Sequence, residues 1–190
     1  MIILGLDVST SNIGICVLQK TAASVNLIHA EGMPLSKTKG LIPKAVLFKQ
    51  RLEDLKELLG KSGHNVSRII VEEPLQAFRS RMSSAGTIAT LNRFNGMISY
   101  IAAQAFDLPA EMASVVSVRK QINLKLEKKS EKNTKEQVLD WVMQNYVMLD
   151  YDWPTKILKS GPNKGQQRFE AHCFDIADAF VVAYWAATVS

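Results

Sequence analysis

Acidic side chains interrupt three of the most apolar stretches of this chain, and any fold that buries those stretches must also accommodate the charges. Asp7 follows Ile2-Ile-Leu-Gly-Leu6, Glu72 and Glu73 follow Arg68-Ile-Ile-Val71 and precede Pro74, and Asp175 and Asp178 lie within Phe174-Asp-Ile-Ala-Asp-Ala-Phe180. The residues around the last pair, Ile176, Ala177, Ala179, Val181, Val182 and Ala183, leave almost no polar helical face. A buried carboxylate is costly unless it is paired, so these acids call for compensating cations.

Strand alternation puts Asp7 on the face of Ile3 and Gly5, and the missing side chain at Gly5 lets a covering helix approach closely. The other reading of Asp7 is a carboxylate that caps the turn over 9–11. Glu72 and Glu73 are consecutive and point to opposite faces, so at most one of them can meet Asp7. Asp175 and Asp178 stand three apart on one helical face, with His172 three residues earlier. An all-oxygen donor set from an early strand, a middle strand and a late helix suits hard cations such as Mg²⁺ or Mn²⁺. Two such ions about 4 Å apart activate a water and stabilise the leaving oxygen of a phosphodiester. Mutual repulsion predicts that the acids ionise reluctantly until cations bind.

Apolar patterning predicts a meander of strands over 2–8, 13–19 and 25–31, with a turn at 9–12. A helix over 41–59, closed by Gly60 and Gly63, leads to a strand over 68–72. A long helix over 83–106, a fifth strand over 113–118, a helix over 134–146, a long basic loop over 153–168 and a helix over 169–188 complete the chain. Parallel strands need helical crossovers, so the expected class is α/β: a mixed five-stranded sheet flanked by helices on both faces. With no repeat and no dividing linker, residues 1–190 are expected to form a single domain. Charge-free runs such as 94–106 are too short to span a membrane, and the opening residues lack a basic leader, so an intracellular location is expected. Cys16 and Cys173 are far apart and the three histidines are scattered, which argues against a disulfide framework or a zinc site; Cys16 is expected in the core.

The net charge is +5, and its distribution is uneven. Arg119, Lys120, Lys125, Lys128, Lys129, Lys132 and Lys135 face only Glu127 and Glu131 over 119–135, while Lys156, Lys159, Lys164 and Arg168 have no acid among them over 156–168. Either these are solvated loops and helix faces, or they grip a polyanion beside the acidic cluster; nucleic acid is the expected partner.

Three segments, Gly5-Leu-Asp7-Val-Ser-Thr-Ser-Asn-Ile-Gly14, Ile70-Val-Glu72-Glu-Pro74 and Asp175-Ile-Ala-Asp178-Ala, resemble in order and spacing the RuvC-like Holliday-junction resolvases of the RNase H-like superfamily. Leu91-Asn-Arg-Phe-Asn-Gly96 and the stretch 117–146, with Lys135-Glu-Gln-Val138, are similar too, so the likeness covers most of the chain. The resemblance implies an RNase H-like fold, with Asp7, Glu72, Asp175 and Asp178 as the catalytic, metal-binding acids. Glu72 is preferred to Glu73 because it is the first acid after the apolar run.

It further implies Mg²⁺ or Mn²⁺, two ions per site, and a homodimeric endonuclease that nicks two strands of a four-way DNA junction symmetrically. A two-fold enzyme carries two equivalent sites, which matches the paired equivalent strands of a junction. Arg119, Lys120, Lys125, Lys128, Lys129, Lys132 and Lys164 are the expected DNA contacts. Phe78, flanked by Arg79 and Arg81, is either a wedge at the junction centre or a core aromatic. The apolar side of helix 91–106 is either the dimer interface or ordinary core. The loop over 153–168 is long and basic for a bacterial enzyme of this family and resembles viral or organellar relatives more.

Two other functions share these features. A non-catalytic branched-DNA or RNA-binding protein can use the same fold, although a pure binder has no reason to hold four acids beside a polyanion. Actin-like ATPases and sugar kinases open with a similar Gly-x-Asp-x-Ser/Thr loop. They need two such domains, and this chain has no second Gly-rich phosphate loop.

Overall fold

The first three strands form as the alternation requires: β1 (Ile2–Val8), β2 (Asn12–Lys20) and β3 (Val25–Pro34) pair antiparallel in sequence order. The structure is a computed structural model that describes residues 1–74, 84–162 and 164–189. The Ser9 hydroxyl closes the β1–β2 turn, accepting from the Asn12 N–H at 3.0 Å and donating to the Asn12 carbonyl at 2.8 Å. From above the turn, the Lys44 ammonium donates to the Thr10 carbonyl.

Helix α1 (Leu41–Lys61) crosses to β4 (Val66–Glu72), which runs parallel to β1, and α2 (Ala85–Phe106) crosses to the short β5 (Ala110–Ala113), parallel to β4. The sheet order is β3-β2-β1-β4-β5. On one face, Leu4, Leu6, Ile15, Val17 and Val71 pack with Phe48, Leu52 and Leu55 of α1 and Phe94 and Ile98 of α2. On the other, Ile3, Cys16, Leu18 and Ile70 pack under α3 (Val115–Gln121), α4 (Thr134–Met143) and α5 (His172–Thr188). This is the expected α/β arrangement of a mixed five-stranded sheet between helical layers.

Helix α5 is buried almost all round, and large side chains such as Phe180, Ile176 and Val182 each contribute about 2 kcal/mol by leaving water. It sits unusually close to the sheet. A Cβ at Gly5 would lie 2.4 Å from the Ala179 carbonyl oxygen, one at Gly14 only 1.9 Å from that of Asp175, and one at Gly32 2.6 Å from the His172 Cβ. The helix thus crosses three strands over a track without side chains.

Several expectations are corrected. The strand expected over 113–118 ends at Ala113, and Val115–Gln121 is helix α3: the valine-rich run reads as strand, but helical spacing is what carries Val118 into the core beneath α5. The long loop holds a hairpin of β6 (Thr155–Ile157) and β7 (Gln167–Phe169), so the last helix starts at His172 and not at 169. Helix α4 stops at Met143, short of the expected 146. Phe94, Ile98 and Ala102 turn the apolar side of α2 into the core, which removes that side as a dimer interface and leaves Tyr100 exposed on the opposite surface. Cys16 is buried as expected, and both cysteines are free. Among the described residues no helix is long and apolar enough to cross a membrane.

Candidate metal centre

The parallel register of β1 and β4 brings the first two acids together. Leu6 is level with Val71, so Asp7 and Glu72 stand side by side where the two strands end, on the face that carries Ile3 and Ile70. Glu73 leaves this face; its N–H donates to the Ala113 carbonyl at 2.9 Å. Asp178 comes down from α5, and one carboxylate oxygen from each of Asp7, Glu72 and Asp178 lies within 4.8 Å of the other two. Asp175, also buried on α5, stands beside this triplet and outside it.

Cations from the neighbouring helices reach the α5 acids. The Arg119 guanidinium of α3 donates to Asp178 Oδ1 at 2.8 Å, and the Lys135 ammonium of α4 lies 3.6 Å from Asp175 Oδ1. The buried Asn95 of α2 donates its side-chain amide to the Glu72 carbonyl at 3.1 Å and fixes the end of β4. One oxygen of the cluster stays without a partner among the described residues: Glu72 Oε2 is buried and accepts no hydrogen bond.

The electrostatics follow from this crowding. Burial, reinforced by the carboxylates of Glu72, Asp178 and Asp175, raises the Asp7 pKa well above the usual carboxylate range. Burial and Asp178 push Glu72 up to about 8, against the pull of Arg119 and Lys135. Burial also raises Asp175, with Lys135 opposing. Burial works against the Lys135 charge, but Asp175, Asp7 and Asp178 outweigh it and raise its pKa. Four carboxylates against two close cations leave a negative excess of two when all are ionised. A divalent cation bound by oxygen complements that excess, and the unpartnered Glu72 oxygen is a ready ligand.

The expected DNA contacts divide. Lys120, Lys125, Lys128, Lys129 and Lys164 are exposed, whereas Lys132 is held by Asp140 at 2.6 Å. Arg119 is mostly buried and bonded to Asp178 at the acidic centre, and it also lines a surface groove with Lys120 and Lys125. Phe78, Arg79 and Arg81 lie outside the described residues. Cations from the 119–135 segment were expected beside the acids, as Arg119 and Lys135 are, but the pairing of Lys135 with Asp175 and the role of Asn95 were not assigned from sequence. The available signals were the demand of two buried acids for cations and a polar residue within the apolar stripe of α2.

No protein-family model matches the chain, and no curated protein matches it. Solved structures do. The Thermus thermophilus RuvC in complex with Holliday junction substrate matches at 16% identity and a TM-score of 0.60, over 98% of this chain and 93% of that one. The yeast mitochondrial Holliday junction resolvase matches at 18% and 0.55, over 97% and 77%. The fowlpox virus Holliday junction resolvase matches at 15% and 0.51, over 98% of each chain. The chain therefore has the RuvC-like, RNase H-like fold over nearly all its length.

Proposed function

We propose that the chain is a metal-dependent endonuclease of the Holliday-junction resolvase type, which nicks four-way DNA junctions in recombination or repair. The observation that carries this reading is the convergence of Asp7, Glu72 and Asp178 within 4.8 Å, with a buried Glu72 oxygen that has no partner among the described residues. Its occurrence on a fold shared with three resolvases of such junctions supports the substrate class.

Asp7, Glu72 and Asp178 would hold Mg²⁺ or Mn²⁺, with Asp175 completing the acidic set, and two ions are proposed. Bound there, the metal supplies an activated water and neutralises charge on the scissile phosphodiester. The protein's own groups do the positioning. Arg119 and Lys135 hold the two α5 acids and moderate their repulsion, and Asn95 anchors the end of β4. The exposed lysines at 120, 125, 128, 129 and 164 attract the phosphate backbone. Working as a homodimer, two such centres would nick equivalent strands of one junction, in whatever compartment holds branched DNA.

The test is incubation with Mg²⁺ or EDTA and a panel of four-way junction, fork, duplex and RNA–DNA hybrid. Nicking is expected on the junction and only with the metal. Asp7→Asn and Asp178→Asn should abolish it while junction binding persists, because each removes a metal ligand and leaves the basic surface intact. Strong residual cleavage by Asp7→Asn in Mg²⁺, or no preference for the junction over duplex, would overturn the reading.

A further inference from the structure

A groove of about 730 Å³ runs between α4 and the β6–β7 hairpin, away from the acidic triplet, and nothing in the proposed reaction uses it. Its size is that of sites that hold an organic ligand. It nevertheless adjoins the centre along both helices. Phe174 on its wall immediately precedes Asp175, and Glu136 immediately follows Lys135, the two residues paired beside the triplet.

The wall chemistry is mixed. Leu139, Phe169 and Phe174 give apolar and aromatic surface, and Phe169 is exposed at the end of β7. The polar rim offers both donors and acceptors: the Gln167 amide, donating to the Thr155 hydroxyl at 2.6 Å, and the carboxylates of Glu136 and Asp140. Those carboxylates are partly engaged, one by the Asn133 N–H at 2.8 Å and the other by Lys132 at 2.6 Å. A surface meant only for phosphates would be uniformly basic. Aromatic faces beside mixed donors and acceptors suit a nucleobase, which has an apolar face and a polar edge.

The hairpin supplies the complementary charge. Lys156, Lys159, Lys164 and Arg168 have no acid among them over 155–169, and none of the four makes an ion pair among the described residues.

We propose that this groove is a single-strand subsite that takes an unstacked base of the DNA, stacked on Phe169, while the hairpin cations hold the adjoining backbone. The proposal rests on the nuclease reading for its choice of DNA and adds a contact to a single unstacked base. The groove residues Phe174 and Glu136 neighbour Asp175 and Lys135 along α5 and α4, so a base held there would adjoin the acidic centre.

The test is fluorescence anisotropy of labelled oligothymidylate and of a duplex of equal length, both in EDTA. Phe169→Ala should weaken oligothymidylate binding about tenfold and leave duplex binding unchanged, with Phe169→Trp restoring the affinity. An unchanged melting temperature confirms that Phe169→Ala is folded. Equal binding by wild type and Phe169→Ala, or an equal loss on duplex, overturns the proposal. Tighter binding of oligouridylate than oligothymidylate overturns the choice of DNA. Nicking in Mg²⁺ is scored separately. If the wild type fails to nick but Phe169→Ala still loses single-strand binding, the nuclease reading fails and the groove stands. If nicking is intact and the substitution changes nothing, the groove alone fails.

Discussion

At Glu72, burial and the Asp178 carboxylate hold the proton up to about pH 8, so this residue sets how the fold answers to pH. An acid whose pKa rises on folding favours the folded state while protonated. Its contribution is complete below the unfolded-state value of about 4.3 and is lost as pH climbs through about 8. Asp7 acts in the same direction. In EDTA, the melting temperature should therefore fall between about pH 5 and about pH 9, and Mg²⁺ should restore it at the upper end by binding the ionised acids. Glu72→Gln should flatten that fall while abolishing nicking; a melting temperature that rises with pH in EDTA would contradict this picture. Glu73→Gln should nick like wild type, because Glu73 has already turned off the face that meets Asp178. The pairing of Asp7 with one of two consecutive acids was readable from alternation alone. The attachment of Arg119 to Asp178 was not, because the partners are 59 residues apart and only the docking of α3 against α5 joins them.

At the scale of elements, the approach of α5 to β1 and β2 decides whether the centre assembles. Gly14→Ala would drive a Cβ into the Asp175 carbonyl and push the helix off the sheet. Overpacking of this kind costs about 1–3 kcal/mol, and nicking should fall with stability because Asp175 and Asp178 move together. Gly60→Ala, where nothing lies within 4 Å of the added carbon, should be neutral or stabilising by up to about 1 kcal/mol. Thermal melts of the two variants compare them directly, and an equal melting temperature would count against the tight joint. Gly5 announced its role through its place two residues before Asp7, whereas Gly14 gave no sign, since the helix it admits lies far along the chain. Local pattern misread 113–118 because three valines in six residues look like strand, and only packing turns Val118 inward on a helix. The β6 and β7 strands are three residues each, too short for alternation to register.

Across the whole molecule, the net positive charge is concentrated over 119–135 and 156–168, and the salt dependence of binding should report it. Replacing Lys125, Lys128 and Lys129 together by alanine should flatten the logarithmic salt slope by about 2–3 units on duplex arms, at roughly 0.9 per lost phosphate contact. An unchanged slope would mean that these lysines are merely solvated and that the DNA path follows the hairpin. Sedimentation at micromolar concentration should give twice the 21.1 kDa of the chain, and a species of only 21.1 kDa would weigh against paired nicking by a preformed dimer. The acids come from β1, from β4 and from α5, the last of the described helices. Proteins are made from the N-terminus at about 5–20 residues per second, so Asp7 and Glu72 leave the ribosome many seconds before Asp178 follows. A nascent or prematurely terminated chain thus carries half a centre and no way to close it. The order of residues along the chain means that the acidic triplet cannot be completed until synthesis has reached α5.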